Sequence, residues 1–230
     1  DVLNAIRPLI GYGPESMYVA YNPFYPPDLG HLEARNASPD RSHNETFDAL
    51  VITGLFGLLI QLTLFGSIFY RAFGWLGLAG ERAQAVFFIV CWLVGGALGA
   101  IAPYLLEGSF RWMGVSLPVG LLFGLLTYLV SQALFFRKRL KDIPFDDDQL
   151  LLIALVSAVV AHFGEIHFGI AIASTRTYFW VYAALLVLIG YRLKQVEREP
   201  AVVQHSANGQ GERGSLDGGF ALRCRHARWG

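Results

Sequence analysis

The chain has 230 residues, of which 54% are hydrophobic and only 16% are charged, and its formal net charge is zero. Soluble domains carry about 25% charged residues, so this composition indicates an integral membrane protein. The charge balance argues against a nucleic-acid partner. Cys91 lies in an apolar stretch and Cys224 in a polar tail, which argues against a disulfide framework.

Residues 1–46 contain no apolar run long enough to cross a bilayer. Pro8 and Gly11 end a short helical stretch, and a loop rich in proline and tyrosine follows. Aromatic side chains of this kind anchor loops at the membrane interface, and they also stack on sugars. We predict a loop segment over residues 1–46. Because the chain starts with Asp1 and carries no signal peptide, we expect it to be the C-terminal part of a longer protein.

Apolar segments separated by polar loops occupy residues 47–191. The last apolar stretch, 150–191, is about twice the length that a bilayer of ~30 Å requires, so it must turn back where polar residues interrupt it. The sequence therefore predicts an all-α fold, a polytopic transmembrane helical bundle. The predicted spans are 47–70, 85–106, 114–136, 150–163 and 170–191. Glycines at 95, 96 and 99 predict close helix packing, and residues 192–230 have the composition of a disordered tail.

The distribution of Lys and Arg predicts the orientation in the membrane. Nine of them lie in loops 71–84 and 137–149 and at the start of the tail, whereas the turns on the opposite side hold only Arg111 and Arg176. By the positive-inside rule, the loop that carries His43 is extracytoplasmic and the tail is cytoplasmic. We therefore expect a multi-pass protein of the inner (plasma) membrane that contacts membrane lipids.

Several ionisable residues fall on the extracytoplasmic side in this topology. An ionisable residue at membrane depth is costly and indicates function by default. Arg176 is the clearest case, and we expect it to face the bundle near the outer surface and to pair with Glu165, a pairing that can also be purely structural. The candidates on this side are Arg41, His43, Arg111, His162, Glu165, His167 and Arg176.

Metal and nucleotide sites are the weaker interpretations. His162, Glu165 and His167 have metal-ligating side chains, but residues five apart do not share a helix face, and we expect neither a metal nor a cofactor. Residues 146–148 are three aspartates, which also occur in Mg²⁺ sites, although a solvated loop explains them.

The pair His43-Asn44 stands where the polar loop meets the first span. Histidine is suited to proton transfer near neutral pH, and the alternative is that both residues cap the following helix. The pair is followed by Gly54-x-x-Gly57 and preceded by the run Pro-Leu-Ile-Gly-Tyr-Gly-Pro at residues 8–14. In order and spacing, residues 5–60 resemble the O-antigen ligase and O-antigen polymerase superfamily.

The resemblance implies a metal-independent membrane glycosyltransferase that moves a glycan from an undecaprenyl-diphosphate carrier to an acceptor hydroxyl on lipid A core, polysaccharide or protein. His43 matches the family's essential loop histidine, and Arg41 lies just before it. The family's other arginines mostly lie upstream of Asp1. We assign His43 and Arg41 as catalytic, and the expected substrate-binding residues are Asn44, Arg111, Glu165, His167 and Arg176.

Three alternatives to a ligase stay open from the sequence. The first lies within the family, because the same motifs serve a polymerase as well as a ligase. A membrane transporter would use His162, Glu165, His167 and Arg176 as a proton or substrate path. A non-catalytic membrane scaffold is the third option.

Overall fold

A computed structural model describes residues 2–34, 40–135 and 147–211, with side chains to residue 195. The described residues form helices and no strand, so the all-α prediction is confirmed. The helices are α1 (Val2–Ile10), α2 (Met17–Tyr21), α3 (Glu45–Trp75), α4 (Arg82–Glu107), α5 (Met113–Phe135), α6 (Asp147–Glu165) and α7 (Ala173–Gly211), with single 3-10 turns at Asn22–Phe24 and Pro27–His31.

Five of these helices are long and apolar enough to cross a membrane, as the sequence predicts. They are α3, α4, α5, α6 and the part of α7 from Ala173 to Gln195. The chain divides into a first unit ending at Tyr191 and a second one beginning at Arg192, and the first contains α1 to α6 and residues 173–191 of α7. The predicted tail starts as a helical continuation of α7 to Gly211, and its residues 212–230 lie outside the described part of the chain.

Helices α4 and α5 pack with their backbones in contact because glycines face each other. A side chain on Gly95 would collide with the carbonyl oxygen of Gly120, and one on Gly99 would collide with that of Ser116. The hydroxyl of Ser116 donates a 2.6 Å hydrogen bond to the carbonyl of Gly99. This is the small-residue packing that membrane helices use in place of a hydrophobic driving force, and it confirms the prediction from the glycine run.

Helix α3 is interrupted at Gly54, whose φ of 67° and ψ of −167° are not helical. Glu45 and Gln61 lie on either side of this break, and their side chains are joined by a 3.4 Å hydrogen bond. In a straight helix their Cα atoms would be about 24 Å apart, which neither side chain can bridge. The two arms of α3 therefore fold toward each other in a V with Gly54 at its apex.

Contacts with α6 agree with this V. The backbone N–H of Glu45, in the first arm, donates to the carbonyl of Ile166 at 3.0 Å. The ring of Phe65, in the second arm, lies 4.8 Å from that of Phe163. Phe163 precedes Ile166 by about one helical turn. The second arm, residues 55–75, is by itself about 31 Å long, which is enough to cross the hydrocarbon core.

The end of α1 holds the apex of the V. The N–H groups of Tyr12 and Gly13 donate to the carbonyls of Val51 and Ile52 at 2.7 and 3.0 Å. In an uninterrupted helix these two carbonyls would accept hydrogen bonds from residues 55 and 56. Side chains on Gly11 or Gly54 would collide with the opposing backbone, and both residues have positive φ. The glycines of both sequence motifs thus meet in one contact.

We expect Gly95→Ala to destabilise the protein by about 1–3 kcal/mol, because the added methyl forces α4 and α5 apart. Gly164→Ala is the matched control, since its added methyl meets no neighbouring atom within 4 Å and alanine is the better helix former. The measurement is the melting temperature of both variants in one detergent. Equal melting temperatures would contradict the packing argument.

The V predicts that cysteines at positions 45 and 61 react together with a short bifunctional thiol reagent in a variant lacking Cys91 and Cys224. A cysteine pair replacing Val90 and Leu106 has the same spacing on the uninterrupted α4 and should not be bridged. Bridging is measured by intact mass after reaction in membranes. Failure of the first pair to react, with both thiols accessible to a monofunctional reagent, would show that α3 is straight.

Candidate functional site

Asn44 joins three parts of the chain at one end of the bundle. Its Oδ1 accepts the N–H of Phe47 at 3.2 Å and so caps α3. Its Nδ2 donates to the carbonyls of Gly114 and His167 at 2.8 and 2.7 Å. The loop end, the start of α5 and the turn between α6 and α7 therefore meet here. Since both amide hydrogens are used by the protein, this geometry favours the capping interpretation of Asn44 over substrate binding.

His43 is presented at the surface beside this cap. Its φ of 57° is in the left-handed region, which histidine enters more readily than most residues. The next-door Ser42 is fixed through its N–H and hydroxyl, which donate to Asp48 at 2.8 and 2.7 Å. The exposed ring of His43 makes no hydrogen bond or ion pair with any residue that the structure describes. The backbone is thus held on both sides while the imidazole stays accessible.

Arg41 and Arg176 meet at a single backbone carbonyl. Nη1 of Arg41 lies 3.5 Å, and Nε of Arg176 3.4 Å, from the oxygen of Ala171. The two nitrogen atoms are therefore at most about twice that distance apart. Arg41, which precedes the first span, and Arg176, which begins the last one, come together at the same end of the bundle.

Arg176 is paired with Glu45 rather than with Glu165, so the predicted pairing is wrong. Its Nη2 lies 3.0 Å from each carboxylate oxygen of Glu45. Glu165 instead lies 3.2 Å from Nδ1 of His162 on its own helix. The reason is the V in α3, which sets its first residue against the turn between α6 and α7. The carboxylate of Glu45 thereby reaches the first turn of α7.

A cavity of about 680 Å³ opens between the V and helices α6 and α7. Most of its wall is apolar and is formed by side chains such as Ile52, Phe56, Ile60, Leu64, Phe179 and Trp180. Its polar part is formed by Glu45, Asp48, Gln61, His162 and Arg176. This amphipathic lining suits a molecule with a long apolar tail and a charged head.

The remaining predicted residues have protein partners elsewhere. Arg111 lies in the turn between α4 and α5, where it pairs with Glu107 at 2.9 Å and covers the ring of Trp112. His167 is only 3% exposed, and its Nδ1 hydrogen-bonds to the carbonyl of Phe163. Neither side chain lines the cavity. Their assignment as substrate-binding residues therefore gains no support from the geometry.

Sequence reasoning missed Glu45, Asp48 and Gln61. Acidic residues in the first turn of a helix are ordinary because they complement the helix dipole, so Glu45 and Asp48 gave no distinct signal. Gln61 is one polar residue in an apolar run, and only the V brings it to Glu45. Among the described residues, no three His, Cys, Asp or Glu side chains cluster as metal ligands.

Comparison of the chain with models of protein families, with curated proteins and with solved structures finds no match. The functional assignment therefore depends on the site geometry and on the motif resemblance alone.

We expect acid to destabilise the fold through His167. Burial lowers the pKa of this imidazole below its usual 6.5, so the folded protein holds it neutral where the unfolded chain already binds a proton. Stability is then complete above about pH 6.5, falls as the pH drops from there toward the lowered folded pKa, and levels off below it. Melting in detergent from pH 7.5 to 5 measures this loss. His167→Asn, which keeps a donor for Phe163, should flatten the dependence, and an unchanged slope would contradict the argument.

Proposed function

We propose that this chain belongs to a membrane glycosyltransferase that moves a glycan from an undecaprenyl-diphosphate carrier to an acceptor hydroxyl. The observation that carries the proposal is the meeting of Arg41 and Arg176 at the carbonyl of Ala171, where Arg176 lines an amphipathic cavity. The exposed His43 follows Arg41 by two residues in the chain. By the charge bias of the loops, this end of the bundle lies on the extracytoplasmic side.

The chemistry needs a base and a cationic site, and no metal if arginines supply the charge. The acceptor oxygen attacks the anomeric carbon, the bond from that carbon to the diphosphate oxygen breaks, and the configuration inverts. His43 takes the proton of the acceptor hydroxyl. Arg41 and Arg176 bind the oxygens of the departing diphosphate, which guanidinium groups hold by paired hydrogen bonds.

The cavity supports this substrate class on physical grounds. Its apolar wall offers a membrane-level surface for a prenyl chain, and Arg176 forms part of its polar lining. The ligand therefore enters with its tail against the arms of α3 and its diphosphate toward the arginines. A ligase and a polymerase of the same superfamily share this donor, and the acceptor differs between them.

The transporter alternative has less support from the described residues. Each of its four residues already has a partner within the protein: His162 pairs with Glu165, His167 with the carbonyl of Phe163, and Arg176 with the carboxylate of Glu45. Hydroxyl groups in the spans also bond to carbonyls of their own helices instead of lining a polar path. These are Thr63, Ser67, Thr127 and Ser157.

We expect His43→Asn to lower glycan transfer by on the order of 10²–10⁴-fold, the usual worth of a positioned acid–base group. Asparagine tolerates the left-handed backbone as well as histidine does, so the variant removes the base without straining the loop. Transfer from purified lipid-linked donor is measured in the full-length protein, beside a thermal melt in detergent.

His31→Asn is the control, because His31 is also exposed and, like His43, precedes α3 in the chain. It should transfer at the wild-type rate. A His43→Asn variant that melts normally and transfers at the wild-type rate would contradict the role of His43 as base.

A further inference from the structure

The ion pair between Glu45 and Arg176 is asymmetric in its exposure. The carboxylate side chain is 11% exposed and lies 3.0 Å from the guanidinium through both of its oxygens, whereas the side chain of Arg176 is 48% exposed. Nη1 of Arg176, and Nε and Nη2 of Arg41, form no hydrogen bond with any described residue. The two arginines therefore retain N–H groups that can bind a further anion, while Nη2 of Arg176 is occupied by the carboxylate of Glu45.

Two like charges gathered at one carbonyl need a nearby anion. Of the two carboxylates that line the cavity, Asp48 accepts the N–H and hydroxyl of Ser42. Glu45 alone of the pair contacts Arg176. The carboxylate of Glu45 is thus the counter-ion of the arginines when no ligand is bound. Carboxylate and phosphate oxygens are both strong anionic acceptors for a guanidinium, so either can take the place that Glu45 holds on Nη2 of Arg176.

We propose that Glu45 is a resident counter-ion that occupies the place of a diphosphate oxygen on Arg176 and is displaced by the lipid diphosphate. This inference rests on the proposed function and names the exchange through which the donor binds. On displacement, Glu45 stays within reach of Gln61, whose Nε2 already lies 3.4 Å from its Oε1. Binding of the donor therefore breaks one ion pair and forms another on the same guanidinium.

The exchange predicts that Glu45→Gln binds a lipid diphosphate more tightly, because the amide competes with the ligand less well. The probe is geranylgeranyl diphosphate, titrated against the chain in nanodiscs of neutral lipid, and we expect Kd to fall by up to about fivefold, since the lost competitor is a partly exposed ion pair. Glu107→Gln is the matched control: it removes the same charge from a carboxylate that is ion-paired with Arg111 and does not line the cavity, and it should change Kd little.

Each result decides the matter. Unchanged or weaker binding by Glu45→Gln overturns the inference, and so does an equal gain by Glu107→Gln, since both variants would then act only through net charge. If Glu45→Gln fails to fold, Glu45→Asp serves instead. Its shorter side chain keeps the charge but loses the two-oxygen contact, so binding should still tighten, and no gain overturns the inference.

Failure of the proposed function is distinguishable from failure of the exchange. If Glu45→Gln tightens binding while His43→Asn transfers glycan at the wild-type rate, the exchange stands and the assignment of His43 as base is wrong. If His43→Asn loses transfer while Glu45→Gln does not bind the probe more tightly, the transferase assignment stands and Glu45 is a structural partner of Arg176.

Discussion

The contact between the end of α1 and the apex of α3 is the constraint on which the site depends. A helix broken inside an apolar stretch leaves carbonyl groups without partners, and such groups cost several kcal/mol each in a lipid environment. The N–H groups of Tyr12 and Gly13 satisfy the carbonyls of Val51 and Ile52. Because Gly11 and Gly54 have no side chains, the two backbones approach closely enough to form these bonds.

The position of Glu45 follows from this contact. With α3 straight, the first residue of the helix would lie about 24 Å from Gln61. With the V in place, its N–H reaches Ile166 and its carboxylate reaches Arg176. Asn44, one residue earlier, ties the same point to α5 and to the turn after α6. The cavity, the cap and the ion pair are therefore consequences of one bend, which explains why residues far apart in sequence form one site.

The number and order of the spans could be predicted because hydropathy and length alone decide which segments can cross a bilayer. The glycine packing of α4 on α5 was equally visible, since spacing along a helix sets which residues share a face. The bend was not, because Gly54 in an apolar run is compatible with an intact helix. The predicted span from residue 47 consequently includes part of the first arm of the V.

The site could be predicted only as far as topology brings residues to one end of the bundle. The charge bias predicts that Arg41, His43 and Arg176 share one side of the membrane, and the structure brings the two arginines to one carbonyl. It did not identify the partner of Arg176, because Glu165 is close in sequence and Glu45 is 131 residues away. Long-range pairing of this kind depends on the bend, which no local pattern encodes.

The same bend explains how two arginines can lie together at one carbonyl. Like charges near a membrane surface repel each other over distances at which water screens them poorly, and an uncompensated charge of this kind is costly. The counter-ion must come either from a substrate or from the protein. Here the protein provides the counter-ion, because the bend at Gly54 folds the first arm of α3 back and places the carboxylate of Glu45 against Arg176. The bend that forms the cavity thus also neutralises the charge of Arg176. An anionic ligand therefore has to compete with Glu45 for the guanidinium of Arg176.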